Sequence, residues 1–315
     1  AKSTSWVNWL ILRGFLKDDK PDFSSNLYRT GLKVYPLAKA ADPPQMEFLK
    51  GSKKPFNTIH ANNFEFYEEL HAIIEREPVQ MWDPELLGLF ASIGIQKGKP
   101  FAPDERMRRI LTDAVAVANG TARALLWYER NKSEFFHGNT YWKKGFIGNS
   151  WKYLRDEGKG GRHLDARTHF YYFATVNTPA MAMKLIEKGS KYAWGYLDSN
   201  GNYLDGAKTY KMNLPKDPPM KQFMSIAVYD PQTRSLLQTG QPFPSYNSVR
   251  DKGKVTVNAD GSVDLYFGPK PPAGKEANWI QTVPRKGWFC LLRLYSPTEA
   301  WYDGKWLPGE IELVQ

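Results

Sequence analysis

Apolar and polar residues alternate on both sides of a turn near residue 260. Val255 and Val257 precede the turn formers Asn258, Ala259, Asp260 and Gly261, and Val263, Leu265 and Phe267 resume the alternation beyond it. Successive strand side chains point to opposite faces, so this pattern predicts a β-hairpin. Other short apolar runs bounded by turn residues fill the chain from residue 190 onward: KYAWGYLD, YKMNLP, FMSIAVYD, SLLQT, WFCLLRLY and WYDGKWLP. Roughly eight short strands with turns between them predict an antiparallel β-sandwich of jelly-roll type.

Upstream the period becomes helical. Phe64, Tyr67, His71 and Ile74 recur at helical spacing behind Asn62 and Glu65, which are spaced as in a capping box, and predict a helix to Arg76. Asp83 followed by Pro84 starts a second helix that Gly94 ends. A third runs from about Asp104, with Gly120 inside it as a point of bending. Residues 164–174 and 180–189 predict two more, the last ending at Gly189. Between residues 131 and 161 rings, lysines and glycines crowd together without a period, as in FFHGNTYWKKGFIGN, which predicts an ordered, irregular segment packed by its rings. Residues 5–13, SWVNWLILR, are apolar on both alternating faces, as in a strand covered on two sides, and LKVYPL offers a second strand. Two strands make a weak sheet, so the chain is expected to be the later part of a longer polypeptide.

Composition narrows the function less than the fold. The chain has 315 residues, 42% hydrophobic and 24% charged, ordinary proportions for a globular protein. No apolar run approaches the roughly 20 residues that span a bilayer. The single cysteine, Cys290, excludes an intrachain disulfide and lies in an apolar strand, where a thiol packs as a small hydrophobe. A net charge of +10 favours an anionic partner. The lysines and arginines fall in separate short clusters, including one from Lys184 to Lys191, and no nucleic-acid recognition motif accompanies them.

No nucleophile elbow, zinc-helix motif, phosphate loop or dinucleotide fingerprint is present. Four residues carry the site expectation. His169 is the candidate general base, since an imidazole titrates near neutrality. Arg167 and Tyr171 share a helical face and can offer a cation and a phenol to an anionic ligand. Arg293 shares a strand face with Phe289, Leu291 and Tyr295, so its guanidinium needs a partner. Asp264 is the structural choice, and a bound carboxylate, sulfate or phosphate the functional one. Residues 198–202 and 258–264 resemble calcium loops but lack the ligand spacing, so both read as hairpin turns. No metal site is expected, and the sequence leaves the cofactor open.

The phrases LDARTHFYYFATVNTPAM, GNYLDGAKTYKMNLP, AVYDPQTRSLLQTGQPFPS, VNADGSVDLYFGPKPPAGKEANWIQTVPRKGWF and LLRLYSPTEAWYDGKWLPGEIE resemble bacterial proteins built from two domains of unknown function, numbered twelve fifty-four and twelve fourteen. The resemblance implies an N-terminal β domain with helices, a C-terminal jelly roll and export to the periplasm or beyond. The expected fold is therefore mixed α+β and β-rich. Residues 1–60 are a remnant of the first β domain, 61–189 a helical section and 190–315 the sandwich. The expected function is binding or hydrolysis of a small anionic or amphiphilic ligand between helices and sandwich, with Arg167, Tyr171 and Arg293 as anchors. An interaction or homo-oligomeric assembly module is the alternative, and a nuclease or phosphoesterase a weaker one.

Overall fold

The computed structural model describes residues 3–14, 16–18, 20–51, 54, 57, 59–174 and 176–314. The fold is mixed α+β, with helices preceding two sheets rich in antiparallel pairs. The chain divides into two compact units, Ala1–Ala116 and Val117–Gln315.

The first unit is helical: α1 (Asp22–Gly31), α2 (Glu65–Arg76), α3 (Pro84–Ser92) and the beginning of α4 (Glu105–Trp127). The Asp83 side chain accepts the Glu85 backbone N–H at 2.9 Å, and Pro84 occupies the first turn, so α3 starts where its capping residues dictate. Gly94 follows α3 with φ of 91°, a conformation that costs glycine little. The apolar stripe of α2 contributes Tyr67 and Ile74 to a core with Phe64, Ile95, Leu111 and Val115. Lys97 closes the other end of α2, donating to the backbone carbonyls of Ile74 (3.3 Å), Glu75 and Glu77 (3.0 Å). α4 continues through Gly120 without a break.

Residues 5–13 form no strand, and Trp6, Trp9 and Leu10 are 71%, 76% and 69% exposed. A segment apolar on both faces becomes a strand only when sheet edges and two covering layers receive it, and no described segment pairs with this one. Its start is held instead by Glu77, whose carboxylate accepts from Ser5 Oγ and the Trp6 backbone N–H, each at 2.8 Å. The Ser5 hydrogen bond, together with backbone N–H groups, keeps the Glu77 carboxyl below its ordinary range.

The second unit stacks two sheets. One has the order β1 (Trp142–Lys144), β2 (Ser190–Gly195), β8 (Phe289–Tyr295), β4 (Met224–Tyr229), β5 (Ser245–Asn247), antiparallel throughout. The other has the order β7 (Trp279–Gln281), β6 (Val263–Gly268), β3 (Tyr210–Leu214), β9 (Glu312–Leu313). Only its β6–β7 pair is parallel. Between the sheets lies a core containing Trp142, Met212, Ile226, Phe267, Cys290 and Leu292. On its opposite face the five-stranded sheet packs against residues from α5 (Leu164–Ala174) and the last turns of α4, with Trp194, Phe289, Leu291, Phe170 and Leu126 buried there.

Several expected elements change: LKVYPL forms no strand, and SLLQT keeps only an isolated bridge between Leu236 and Tyr229. The turn at residues 258–261 forms, with the Gly261 N–H donating to the Asn258 carbonyl at 2.9 Å, but residues 255–257 are not a strand. The buried Asn278 side chain substitutes for a partner strand. Its Oδ1 accepts from the Thr256 N–H, and its Nδ2 donates to the carbonyls of Thr256 and Asp264, all at 2.8 Å. The helix expected over residues 180–189 is the single turn α6 (Pro179–Ala182). Lys191 Nζ donates to the carbonyls of Met181 (3.2 Å) and Ala182 (2.6 Å), taking acceptors that a further helical turn would use. WYDGKWLP begins within the one-turn helix α7 (Glu299–Tyr302), and Trp306 donates its indole N–H to the carbonyls of Pro215 and Lys216.

Asn278→Ala removes the side-chain partner of three part-buried backbone groups, two on Thr256 and one on Asp264. It is expected to lower unfolding stability by about 2–4 kcal/mol, read from the urea midpoint, whereas Asn258→Ala in the exposed turn costs under about 1 kcal/mol.

Candidate functional site

The four residues singled out from the sequence do not converge on one cavity. His169 faces inward from α5, only 2% exposed, edge-on to Trp194 with ring centroids 6.0 Å apart. Burial, with Lys143 and His163 nearby, holds its pKa well below the ordinary histidine value, and its Nε2 has no hydrogen-bond partner. A neutral imidazole sealed in this way is a packing group. Arg167 is half-buried and Tyr171 exposed on α5. Arg293 does not meet Asp264, which lies in the other sheet and binds Lys211 Nζ at 3.1 Å and Asn213 Nδ2 at 2.8 Å. The Arg293 guanidinium donates instead to the Tyr229 hydroxyl on the neighbouring strand β4, while its Nε is buried without a partner.

The residues that do gather belong to the irregular aromatic and basic segment. β1 is the edge strand of its sheet, and its alternation sends consecutive lysines to opposite sides. Lys143 is fully buried, 2.9 Å from the Glu129 carboxylate and 3.0 Å from the Leu125 carbonyl at the end of α4. Burial lowers its pKa, and Glu129 opposes that shift. Lys144, on the other side, reaches the Ser133 carbonyl at 2.6 Å and lines a cavity of about 380 Å³.

Two ammonium groups, Lys144 and Lys191, and the His137 imidazole share that cavity with the rings of Phe136, Phe146, Tyr192, Trp301 and Tyr302. Among the described residues, no carboxylate lines it. Lys191 is buried, its pKa pushed down to about 8 by desolvation, and its Nζ stands 5.8 Å from the centre of the Tyr302 ring. His137 has φ of 55° and ψ of 10°, a left-handed conformation rare outside glycine. Its ring lies so close to Gly304 that a Cβ there would overlap it. Backbone strain of this kind persists only where the surroundings impose it, and it concentrates at ligand-contacting positions. A second cavity, of about 250 Å³, holds Arg250 and Asp251, but these already pair with each other at 2.7 Å.

Residues 189–299 match the family described as a protein of unknown function, DUF1214. That DUF1214 stretch supports the second of the two domains expected from the sequence. It runs from just before β2 to the start of α7, so it supplies Lys191 and Tyr192 to the cavity, while the segment 136–149 and residues 301–304 lie outside it. Among solved structures, the VPA0106 protein from Vibrio parahaemolyticus is similar at 18% identity and a TM-score of 0.43, over 87% of this chain and 59% of that one. An uncharacterized protein from Burkholderia cenocepacia is similar at 14% identity and a TM-score of 0.31, over 68% of this chain and 44% of that one. The chain thus spans 59% and 44% of the lengths of these two proteins. No curated protein matches the sequence.

Among the described residues, no group of three or more histidines, cysteines or acids is placed to hold a metal. No helix there is long and apolar enough to cross a membrane. Asp198 Oδ1 accepts the N–H groups of Asn200 and Asn202 at 2.9 Å each, so its lone pairs shape a turn.

Sequence reasoning missed Lys144, Lys191 and His137. The crowding of rings and lysines at 136–146 was the available signal, whereas Lys191 reads as one member of a solvated basic cluster until the fold buries it.

Glu134 is 4% exposed, with one carboxyl oxygen 3.8 Å from His163 Nε2 and the other without a partner. Desolvation raises its pKa to about 7, reinforced by Glu129. The folded state therefore binds this proton more tightly than the unfolded chain, so its stability declines as pH rises from about 4.5 to 7. Glu134→Gln is expected to match the wild type at pH 5 and exceed it by about 1–3 kcal/mol at pH 8 in urea titrations.

Proposed function

We propose that the unit Val117–Gln315 binds a small anionic, partly apolar ligand in the cavity beside β1 and β2. The observation that carries this reading is the composition of the wall. Lys144 and Lys191 present positive charge beside five rings, with no acid in the lining to neutralise them. Both ammonium groups are positioned by backbone carbonyls, and an oriented cation loses little freedom when an anion arrives. The volume of about 380 Å³ suits a ligand of one or two rings or a short acyl chain. A jelly-roll description of the two-sheet sandwich belongs to the same proposal, supported by its antiparallel-rich pairing. An interaction module is the second reading, favoured by the exposed Trp6, Trp9 and Leu10.

Naphthalene-2-sulfonate and its trimethylammonium counterpart, compared by calorimetry, test the cavity directly. The sulfonate is expected to bind at least about 10-fold more tightly, and Lys144→Glu to remove most of that preference. Arg293→Ala and His169→Ala are expected to leave it intact if they fold. Loss of binding in Arg293→Ala with Lys144→Glu unaffected would move the site away from this cavity.

Affinity for the sulfonate is further expected to weaken as pH rises through about 8, where Lys191 loses its charge. A flat profile between pH 6 and 9 would remove Lys191 from the site.

A further inference from the structure

The helical unit Ala1–Ala116 contains a cavity of different character. About 250 Å³ in volume, it is walled by Ile74 of α2, Leu87 and Ala91 of α3, and Val79, Trp82 and Ile95 from the connecting segments. Ile74 and Ile95 are core residues of this unit, 2% and 1% exposed, so the cavity reaches the unit's hydrophobic centre.

Its polar side chains are few: Lys97, Gln96 and Trp82, and of these only Trp82 has a buried polar atom without a hydrogen-bond partner. The Lys97 ammonium is taken by three carbonyls at the end of α2. Gln96 Oε1 accepts from Lys99 Nζ at 2.7 Å. The exception is Trp82, whose indole N–H is buried without a hydrogen-bond partner. The ring is held edge-on to Phe90, with centroids 6.1 Å apart and planes at 84°. Native proteins leave few buried donors unmade, because desolvating one without a replacement bond is costly.

Water answers this need poorly. A buried water requires two to four polar partners, and beside the Trp82 N–H this largely apolar wall offers only the Gln96 amide and a Lys97 ammonium already held by carbonyls. An apolar molecule bearing a single acceptor satisfies the donor and the wall together. A cavity of about 150 Å³ lined by aliphatic and aromatic side chains already accepts benzene, so this one has room for a substituted ring. The Lys97 ammonium is turned to the three carbonyls at the end of α2, and the rest of the wall is mostly aliphatic and aromatic, which favours a neutral ligand.

We propose that this cavity binds a small uncharged apolar molecule, of the aryl ketone or ester class, whose oxygen accepts the Trp82 indole N–H. The site is separate from the anionic-ligand cavity of the other unit and does not depend on it.

The full chain, titrated with acetophenone and with α-methylstyrene, provides the test, since the two differ by a carbonyl oxygen in place of a methylene. One indole N–H resonance, assigned through its absence in Trp82→Phe, is expected to shift on addition of acetophenone. Acetophenone is expected to bind about 2–10-fold more tightly than the alkene. Trp82→Phe, which keeps an aromatic ring, is expected to equalise the two. Ala91→Leu, which fills the cavity, is expected to weaken both while the other indole resonances stay in place. Equal binding of both compounds by the wild type would show that the Phe90 ring already satisfies the indole and overturn the acceptor assignment. Absence of a Trp82 shift at millimolar acetophenone, or a carbonyl preference that survives in Trp82→Phe, would overturn the proposal.

Discussion

Strand β8 is the constraint on which the larger unit depends. It lies at the middle of the five-stranded sheet, paired with β2 on one side and β4 on the other, and both faces of that sheet are covered. Period-two alternation leaves no freedom in such a place. Cys290, Leu292 and Leu294 enter the core between the sheets, while Phe289 and Leu291 enter the core that includes α5. A slip of one residue would exchange the two sets and carry Arg293 into the dry core between the sheets, where no acid pairs with it. In the observed register the guanidinium meets Tyr229 instead.

The same alternation, at the other end of the sheet, produces the cavity. β1 is short and lies at an edge, so Lys143 and Lys144 diverge into different environments. Lys143 is buried against Glu129 and the last carbonyls of α4, and Lys144 is left at the cavity wall. One strand thus spends a buried ion pair to anchor an irregular segment and holds a second cation at an aromatic surface. Buried ion pairs often break even in stability against apolar replacements, so the clearer consequence of this one is positional.

Side chains that complete backbone hydrogen bonding recur where regular elements stop. Asn278 stands in for a strand beside Thr256, Lys97 closes α2, Lys191 closes α6, and Glu77 holds the start of the exposed segment at residues 5–13. Each satisfies backbone donors or acceptors that no regular element pairs. These contacts explain why three segments with strand or helix patterns adopt neither form along their full length.

Periodicity and capping chemistry were legible in the chain itself. The existence of α2, the start of α3, the extent of α5, the strands β2, β3, β4, β6 and β8, and the two faces of β8 follow from apolar spacing, Asp83, Pro84 and Gly94, because these depend on neighbours in sequence. The capping box expected of Asn62 and Glu65 does not form, since α2 begins at Glu65 and its N–H is accepted by Asn63 Oδ1. The candidate site was not legible in the same way. Arg167, His169, Tyr171 and Arg293 were chosen by chemical type, yet burial separates them, and Lys144, Lys191 and His137 come together only when edge strand β1, strand β2 and α7 meet. Which lysine is solvated and which is desolvated, and whether a polar side chain faces a cavity or a carbonyl, are set by contacts between segments far apart in sequence. Local pattern determined the elements; long-range packing alone decided their partners, because burial and hydrogen-bond satisfaction are properties of the assembled surroundings.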